Sequence, residues 1–555
     1  MSSSGPQAIA AATTDSADFR SPHWLEYLEP LAQRMSSTGL ARLASAIVAA
    51  STLIAALSVG IALRTVALER VPAGFNQDEA CNGYDAYSLL HTGRDQHGNF
   101  LPVAIQAFND YRMPLFDYSL VVPVGLFGLR PFSVRLGAVL WAIVDLLGVA
   151  AVACMLVGLR GAAIAVALLA LSPWHLPISR FGHETITAAA TTSLAAAAFF
   201  AAIRLRRGRW LLVSGLMFGL SLYSYSITKA FVPPFLVWTA AFYWRELGKF
   251  RRQALAGLII IVACAMPQAF ALWRHYAPMM ARYQTVSVLG LPWPMRLRLI
   301  GRGLLFDLSP RFLFLAGSSD ISLHPPGYGQ LLVAQAAMLF LALCSLFDPR
   351  FRRVTIFLFG WFAIATLTAV LILPAGHPLH TLLMLTPLTL LCALGMVFLF
   401  DLAAASRLAR LLVSAAILLV MLVQGAKFVS FYFRDYPALA AYEFQYGLGD
   451  AVVHAASLGD GPVVITYNAN QPYIYVLFFT KYPPSRFQNQ PVDQSKWLFA
   501  PVMSFDRYRF EDPQLAYLKL EHGVFVFTGW EPAPAKPVYI VHSPQGRVAY
   551  QVVVK

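Results

Sequence analysis

Phe75-Asn76-Gln77-Asp78-Glu79-Ala80 opens, and Asp110-Tyr111-Arg112-Met113-Pro114-Leu115-Phe116-Asp117-Tyr118 closes, a polar stretch lying between apolar runs at 43–66 and 134–156. It holds a paired carboxylate, further Asp, Asn, Tyr and His residues, and an arginine ahead of an apolar segment. Its surroundings are of the opposite kind. The 555 residues are 58% hydrophobic and 13% charged, with mean hydropathy +0.59; a soluble domain has about a quarter of its residues charged. The chain reads as a polytopic α-helical membrane protein. The polar stretch is where chemistry or solute recognition would sit.

Further apolar runs lie at 161–176, 185–203, 210–227, 230–244, 254–273, 330–347, 354–373, 379–400 and 411–430. A spanning helix takes about 20 residues, so most qualify, and the expected count is about eleven. Leu115–Leu129 is short and contains Asp117 and Pro123; it reads as interfacial or partly inserted. With Arg34 and Arg42 in the cytoplasm, the basic clusters all fall on that side. They are Arg160; Arg204, Arg206, Arg207 and Arg209; Arg245, Lys249, Arg251 and Arg252; Arg350, Arg352 and Arg353; and Arg407 and Arg410. The net charge of +14 therefore reflects membrane orientation, and nucleic acid is not an expected partner. The five cysteines show no CxxC or Cys/His metal spacing, so neither a disulfide framework nor a structural zinc is expected. The first apolar run follows a polar segment and reads as an anchor, not a signal peptide.

This orientation divides the chain into a cytoplasmic disordered tail (1–40), a transmembrane domain (41–430) and an extracytoplasmic α/β domain (431–555). Outer loops at 67–133 and 274–329 share a face with the last domain. In it, Tyr442–Leu458 reads as an amphipathic helix. Val463–Tyr467, Tyr473–Phe479, Val524–Thr528, Val538–Val541 and Val548–Val554 read as strands between Pro, Gly and Asn breaks.

Asp78-Glu79 opens a helix expected to stop at Gly93. Asp78, Asn82 and Asp85 share a face at i, i+4 and i+7, near Tyr84. A carboxylate in the first turn is held ionised by the helix N-terminus and can accept a proton from an attacking hydroxyl; the same pair also reads as a surface cap. Arg112 at the membrane surface suits phosphate recognition, or a snorkelling anchor. Arg180, His183 and Glu184 share a short outer connection, which reads equally as a capped helix start. Tyr225 and Lys229 lie at the outer end of a span, where Lys229 reads as a phosphate contact or a helix terminus. Arg274, Arg282, Arg296, Arg298, Arg302 and Arg311 sit in the loop 274–329 with His324 and Tyr328, and His377 opens a later span. Asp78, Glu79 and Glu184 could together hold a divalent cation, though no spacing motif requires one.

Taken together these segments resemble the GT-C membrane glycosyltransferases of the family 39 type, the branch with protein O-mannosyltransferases and the aminoarabinose transferases of lipid A. Asp78-Glu79 is similar to that family's acidic pair, whose Asp is the catalytic base. Arg112-Met113-Pro114-Leu115-Phe116-Asp117-Tyr118 is similar to its Lys-Pro-Pro-Leu-Tyr-Tyr-Trp element, with Arg in place of Lys. Ser179-Arg180 followed by Glu184 resembles its second acidic motif.

The resemblance implies inverting transfer of a sugar from a polyprenyl-phosphate donor to a hydroxyl of a protein, lipid or glycan. It needs no cofactor, and the site faces the outside of the inner (plasma) membrane, in contact with its lipids. Asp78, Glu79 and Glu184 are then the expected catalytic residues, and Arg112, Arg180, Lys229 and Arg311 the expected phosphate contacts. The substrate pocket would use Asn82, Tyr84, Asp85, His183, Tyr225, His324, Tyr328 and His377. A transporter or lipid-linked sugar flippase is the alternative. Such proteins carry charges within their spans and show repeats; here Asp145 and Asp307 are the main ionisable exceptions and no repeat is evident. An assembly protein whose tail binds a partner would not need Asp78 and Arg112 together.

Overall fold

The structure, a computed structural model, describes residues 37–108, 110–402, 404–494 and 502–555. The expected tail over 1–40 lies outside the described residues as far as 36, and the first helix already begins at Ser37. Thr52–Lys555 forms one compact unit, and the described residues 37–51 fall outside it.

The elements in chain order are α1 (Ser37–Thr65), α2 (Gln77–Thr92), β1 (Ile105–Ala107), β2 (Asp110–Arg112), α3 (Leu115–Phe127), α4 (Pro131–Leu156), α5 (Leu159–Ala170), α6 (Thr185–Arg204), α7 (Trp210–Ser221) and α8 (Thr228–Phe242). There follow α9 (Arg251–Arg274), α10 (Ala334–Cys344), α11 (Pro349–Ala369), α12 (Leu385–Phe400) and α13 (Arg407–Arg434). Seven of the described helices are long and apolar enough to cross a membrane: α1, α4, α6, α9, α11, α12 with its preceding turn, and α13. Shorter apolar helices are α3, α5, α7 and Ala334–Phe347. The 230–244 run is helical too, as α8, but carries Pro233 and Pro234. The protein is a polytopic helical membrane protein with a small C-terminal sheet region.

Alanine and other small residues place α6 at the centre, where 89% of its apolar window is buried. Small residues let helix backbones approach closely, the packing that works where lipid removes the hydrophobic contrast.

The C-terminal region comprises α14 (Leu448–Ser457), β3 (Val463–Thr466), α15 (Pro472–Phe479), β4 (Asp493–Gln494), β5 (Val502–Phe505), β6 (Tyr508–Glu511), α16 (Pro513–Lys519), β7 (Val524–Thr528), β8 (Tyr539–His542) and β9 (Val548–Val554). The seven strands order β4-β5-β6-β3-β7-β9-β8. β3 runs parallel to both β6 and β7, and the remaining pairings are antiparallel.

Two expectations are corrected. Tyr473–Phe479 is a helix, not a strand: Pro472 occupies its first turn, which proline favours, and Pro472–Phe478 are all buried. A short run buried all round has no period to tell helix from strand. The helix expected over Tyr442–Leu458 begins only at Leu448, because Gly447 takes the left-handed conformation at φ 87°. β5 and β6 were not expected.

Candidate active site

α2 begins with a capping box. The Asn76 side chain accepts from the Asp78 amide, and Glu79 Oε2 accepts from the Asn76 amide at 3.1 Å. Successive residues on a helix point about 100° apart, so the acidic pair is split. Asp78 is half-buried and lines a cavity of about 440 Å³. Glu79 is fully buried and turns the other way.

The Glu79 carboxylate is enclosed. Arg135 Nε donates to Oε1 at 2.9 Å and Nη2 to Oε2 at 3.1 Å, while the Gly182 amide donates to Oε1 at 3.0 Å. Arg135 also donates to the carbonyls of Leu68, Pro72 and Gly74, tying down the segment before α2. Asn82 Nδ2 donates to the Gly182 carbonyl at 2.7 Å. Glu79 and Asn82 therefore grip both faces of the Gly182 peptide, two residues before Glu184. This grip sets Glu184 in the same cavity as Asp78.

The short hairpin of β1 and β2 brings Arg112 to that cavity. Its Nη2 donates to Asp85 at 2.5 Å and to Asp117 at 3.0 Å, and its buried Nε has no hydrogen-bond partner among the described residues. Burial raises the Asp85 carboxyl above the usual carboxylate range, opposed by Arg112 and reinforced by Asp117. The two buried carboxylates share one guanidinium nitrogen, which cannot compensate two charges. The Arg112 guanidinium, disfavoured by burial but held by Asp117, Cys81 and Asp85, lies well above its ordinary range and stays charged.

Around the same cavity runs a sequence of rings. His183 stacks on Phe181 with centroids 5.4 Å apart, Tyr225 meets His183 edge-on at 6.0 Å, His380 stacks on Tyr225 at 6.4 Å, and His377 stacks on His380 at 4.3 Å. All five line the cavity, as do Asp110 and Asp320. Ring faces opposite carboxylates suit a polyhydroxylated ligand, which presents C–H faces and hydroxyl edges.

Of the residues expected from sequence, Asp78, Glu184, Arg112, His183, Tyr225 and His377 line this cavity. The others are placed differently. Glu79 and Asn82 hold Gly182, and Tyr84 donates to the Tyr482 carbonyl at 2.9 Å. Asp85 stands behind Arg112. Arg180 is buried with its donors on the carbonyls of Leu63, Ala67 and Val71, leaving its guanidinium no reach toward a phosphate. Lys229 and Arg311 are exposed and do not line the cavity. His324 donates from Nε2 to the Tyr328 carbonyl at 2.8 Å, and burial lowers its pKa to about 4. Tyr328 packs on Phe428 and Phe431. The Arg282 side chain lies outside the described residues. Among those described, no group of three or more His, Cys, Asp or Glu is arranged to hold a metal ion.

Sequence reasoning assigned no site role to Arg135, Asp110 or Asp320. Arg135 carried a signal, being an arginine inside a long apolar helix. Asp145 has a similar explanation: it accepts from His175 Nε2 at 3.0 Å, while Arg64 Nη2 donates to His175 Nδ1 at 2.7 Å. With Nδ1 accepting, the neutral ring must carry its proton on Nε2. This buried relay joins α1, α4 and the connection before α6.

The C-terminal region holds α2 from behind. The Phe75 amide donates to the Phe444 carbonyl, Tyr475 Oη to the Phe75 carbonyl at 2.6 Å, and Gln488 Nε2 to Ser88, Thr92 and the Asp95 carbonyl. Gly74, at φ 92°, lies so close to Phe444 that a Cβ would come within 2.4 Å of its carbonyl oxygen. Among the described residues, none beyond His380 lines the cavity.

A family model described as dolichyl-phosphate-mannose-protein mannosyltransferase matches residues 112–270. Among solved structures, the fold is similar to ArnT from Cupriavidus metallidurans bound to undecaprenyl phosphate. That match has a TM-score of 0.55 and 15% identity, covering 90% of this chain and 97% of the other. The apo state of the same ArnT matches at 0.54 and 14%, over 91% and 98%. The Archaeoglobus fulgidus oligosaccharyltransferase tethered to an acceptor peptide matches at 0.51 and 13%, over 90% and 74%. At these identities the likeness is one of fold, shared with ArnT and with that oligosaccharyltransferase. No curated protein matches the chain in sequence.

Proposed function

We propose that this chain is a membrane glycosyltransferase that moves a sugar from a polyprenyl-phosphate donor to a hydroxyl acceptor, with inversion. The observation that carries this reading is the meeting of Asp78, Glu184 and Arg112 in one cavity of about 440 Å³. Asp78 takes the proton from the acceptor hydroxyl, whose oxygen attacks the anomeric carbon. The bond to the phosphate oxygen breaks on the opposite face, and polyprenyl phosphate leaves with the electron pair. Arg112, held charged between Asp85 and Asp117, stabilises that leaving group. Glu184 and the ring wall orient the sugar.

A lipid-borne donor has to be reached from the bilayer, and the basic clusters assign the far end of the bundle to the cytoplasm. The site and the C-terminal region then face outward from the plasma membrane. The relatives support the donor class, since one binds undecaprenyl phosphate. The acceptor is a protein, lipid or glycan.

The test is consumption of polyprenyl-phosphate sugar by purified protein. Asp78→Asn should remain folded and lose roughly two to four orders of magnitude in turnover, the usual contribution of a general base. Full turnover in that variant excludes Asp78 as the base. Mass spectrometry of envelope glycans with and without the chain identifies the acceptor.

A further inference from the structure

We infer that a second cavity, at the other end of α6, binds an anionic glycerophospholipid. This site is separate from the transfer reaction and does not depend on it. Glu184 caps α6 in the first cavity, whereas Phe199 and Phe200 of the same helix line the second. Fifteen residues at the helical rise separate them by about 22 Å.

The second cavity, of about 470 Å³, lies among α6, α7, α8 and α9, with Phe357 of α11 closing one side. Its floor comes from a close helix crossing. A Cβ on Gly215 of α7 would come within 2.4 Å of the Gly257 carbonyl oxygen of α9, so the two backbones touch there. Phe199, Phe200, Phe218 and Phe235 supply apolar walls. Leu255 and Leu258 also line it yet are 59% and 50% exposed, so the cavity opens sideways toward lipid.

Two polar features select the occupant. Thr239 lines the cavity and is 5% exposed, and its Oγ1 has no hydrogen-bond partner among the described residues. A buried hydroxyl in that state calls for an acceptor, and a lipid ester carbonyl is one. Arg251, exposed at the first turn of α9, lines the rim. Exposed Arg206, Arg207, Arg209 and Lys249 lie in the connections at this end, and exposed Arg252 in the first turn of α9.

The order of groups matches one class of molecule. Thr239 lies one turn beyond Phe235 toward the basic connection, and Arg251 lies one turn before Leu255. From rim to depth the site therefore offers a cation, a hydroxyl donor and an apolar slot. A glycerophospholipid presents a phosphate, an ester carbonyl and an acyl chain in that order. A net negative headgroup adds attraction to the surrounding arginines.

The test is native mass spectrometry of the full chain in detergent, titrated with phosphatidylglycerol or phosphatidylcholine of the same acyl chains. The wild type should retain one phosphatidylglycerol about fivefold better than phosphatidylcholine, the preference worth one basic residue at a membrane surface. Arg251→Ala should lose that preference. Ala240→Phe, which fills the cavity from an exposed lining position, should lose the retained lipid while donor consumption continues. Equal retention of both lipids by the wild type overturns the inference. So does unchanged phosphatidylglycerol retention in Ala240→Phe, or displacement of phosphatidylglycerol by polyprenyl phosphate at equal concentration.

Discussion

Two cavities of nearly equal volume, about 440 and 470 Å³, open at opposite ends of α6, and their walls differ in kind. Behind the first stand buried, reciprocally bonded groups: Glu79 with Arg135, Asn82 with Gly182, and Asp85 and Asp117 with Arg112. The second has rings and glycines, with one unpartnered hydroxyl and a rim arginine. The difference teaches where precision is needed. Bond-making requires atoms held to fractions of an ångström, which charged networks provide. A lipid chain only needs a slot of the right width.

The most severe way to break the contrast is to remove the proposed base. Asp78→Asn should lower donor consumption by roughly two to four orders of magnitude with a melting temperature close to that of the wild type, as expected for a near-isosteric change at a half-buried position on the cavity wall. Its neighbour should behave in the opposite way. Glu79→Ala strands the fully buried Arg135, and breaking a buried pair from one side costs about 3–5 kcal/mol. Thermal melting should fall sharply, and activity should fall with it as folded protein and the hold on Gly182 ahead of Glu184 are lost. If Glu79→Ala melts like the wild type, Arg135 is not the anchor described above.

Arg112→Lys keeps a charge but loses the remaining guanidinium N–H donors, with Nη2 already engaged by Asp85 and Asp117. One charge-assisted hydrogen bond is worth about 1.5–3 kcal/mol, so kcat/KM for the donor should fall roughly 10- to 100-fold, read from initial rates.

A smaller effect sharpens the electrostatics. The Asp85 carboxyl is raised in the folded protein, so the folded state holds a proton that the unfolded chain releases from about pH 4 upward. This contribution to stability is full below about pH 4 and is lost as the pH rises through the raised value. Asp85→Asn should flatten that decline in a melting-temperature profile. The smallest expected effect is at the other cavity. Ala240→Phe should leave donor turnover within twofold, or the two ends of α6 are coupled.

Much of the architecture was legible in advance. Long apolar runs announced the apolar helices, of which seven among the described residues, against about eleven expected, are long enough to span. Asp78, Glu184 and Arg112 each carried a readable motif. Which of Asp78 and Glu79 faces the cavity was not legible. The answer depends on Arg135, 56 residues on, drawing one carboxylate inward. Arg180 resembled a phosphate ligand for the same reason: nothing nearby in sequence shows that the carbonyls of Leu63, at the end of α1, and of Ala67 and Val71 beyond it consume its donors. The helix at Pro472–Phe479 escaped because burial on all sides erased its period.

By itself, then, the sequence determined that the chain lives in a membrane and where its long apolar helices fall, because hydropathy acts locally along a chain. Only the tertiary structure decided which polar residues face a cavity and which serve as buried struts. Partners as far as 400 residues apart make that choice, and a buried charge takes whichever orientation leaves it paired.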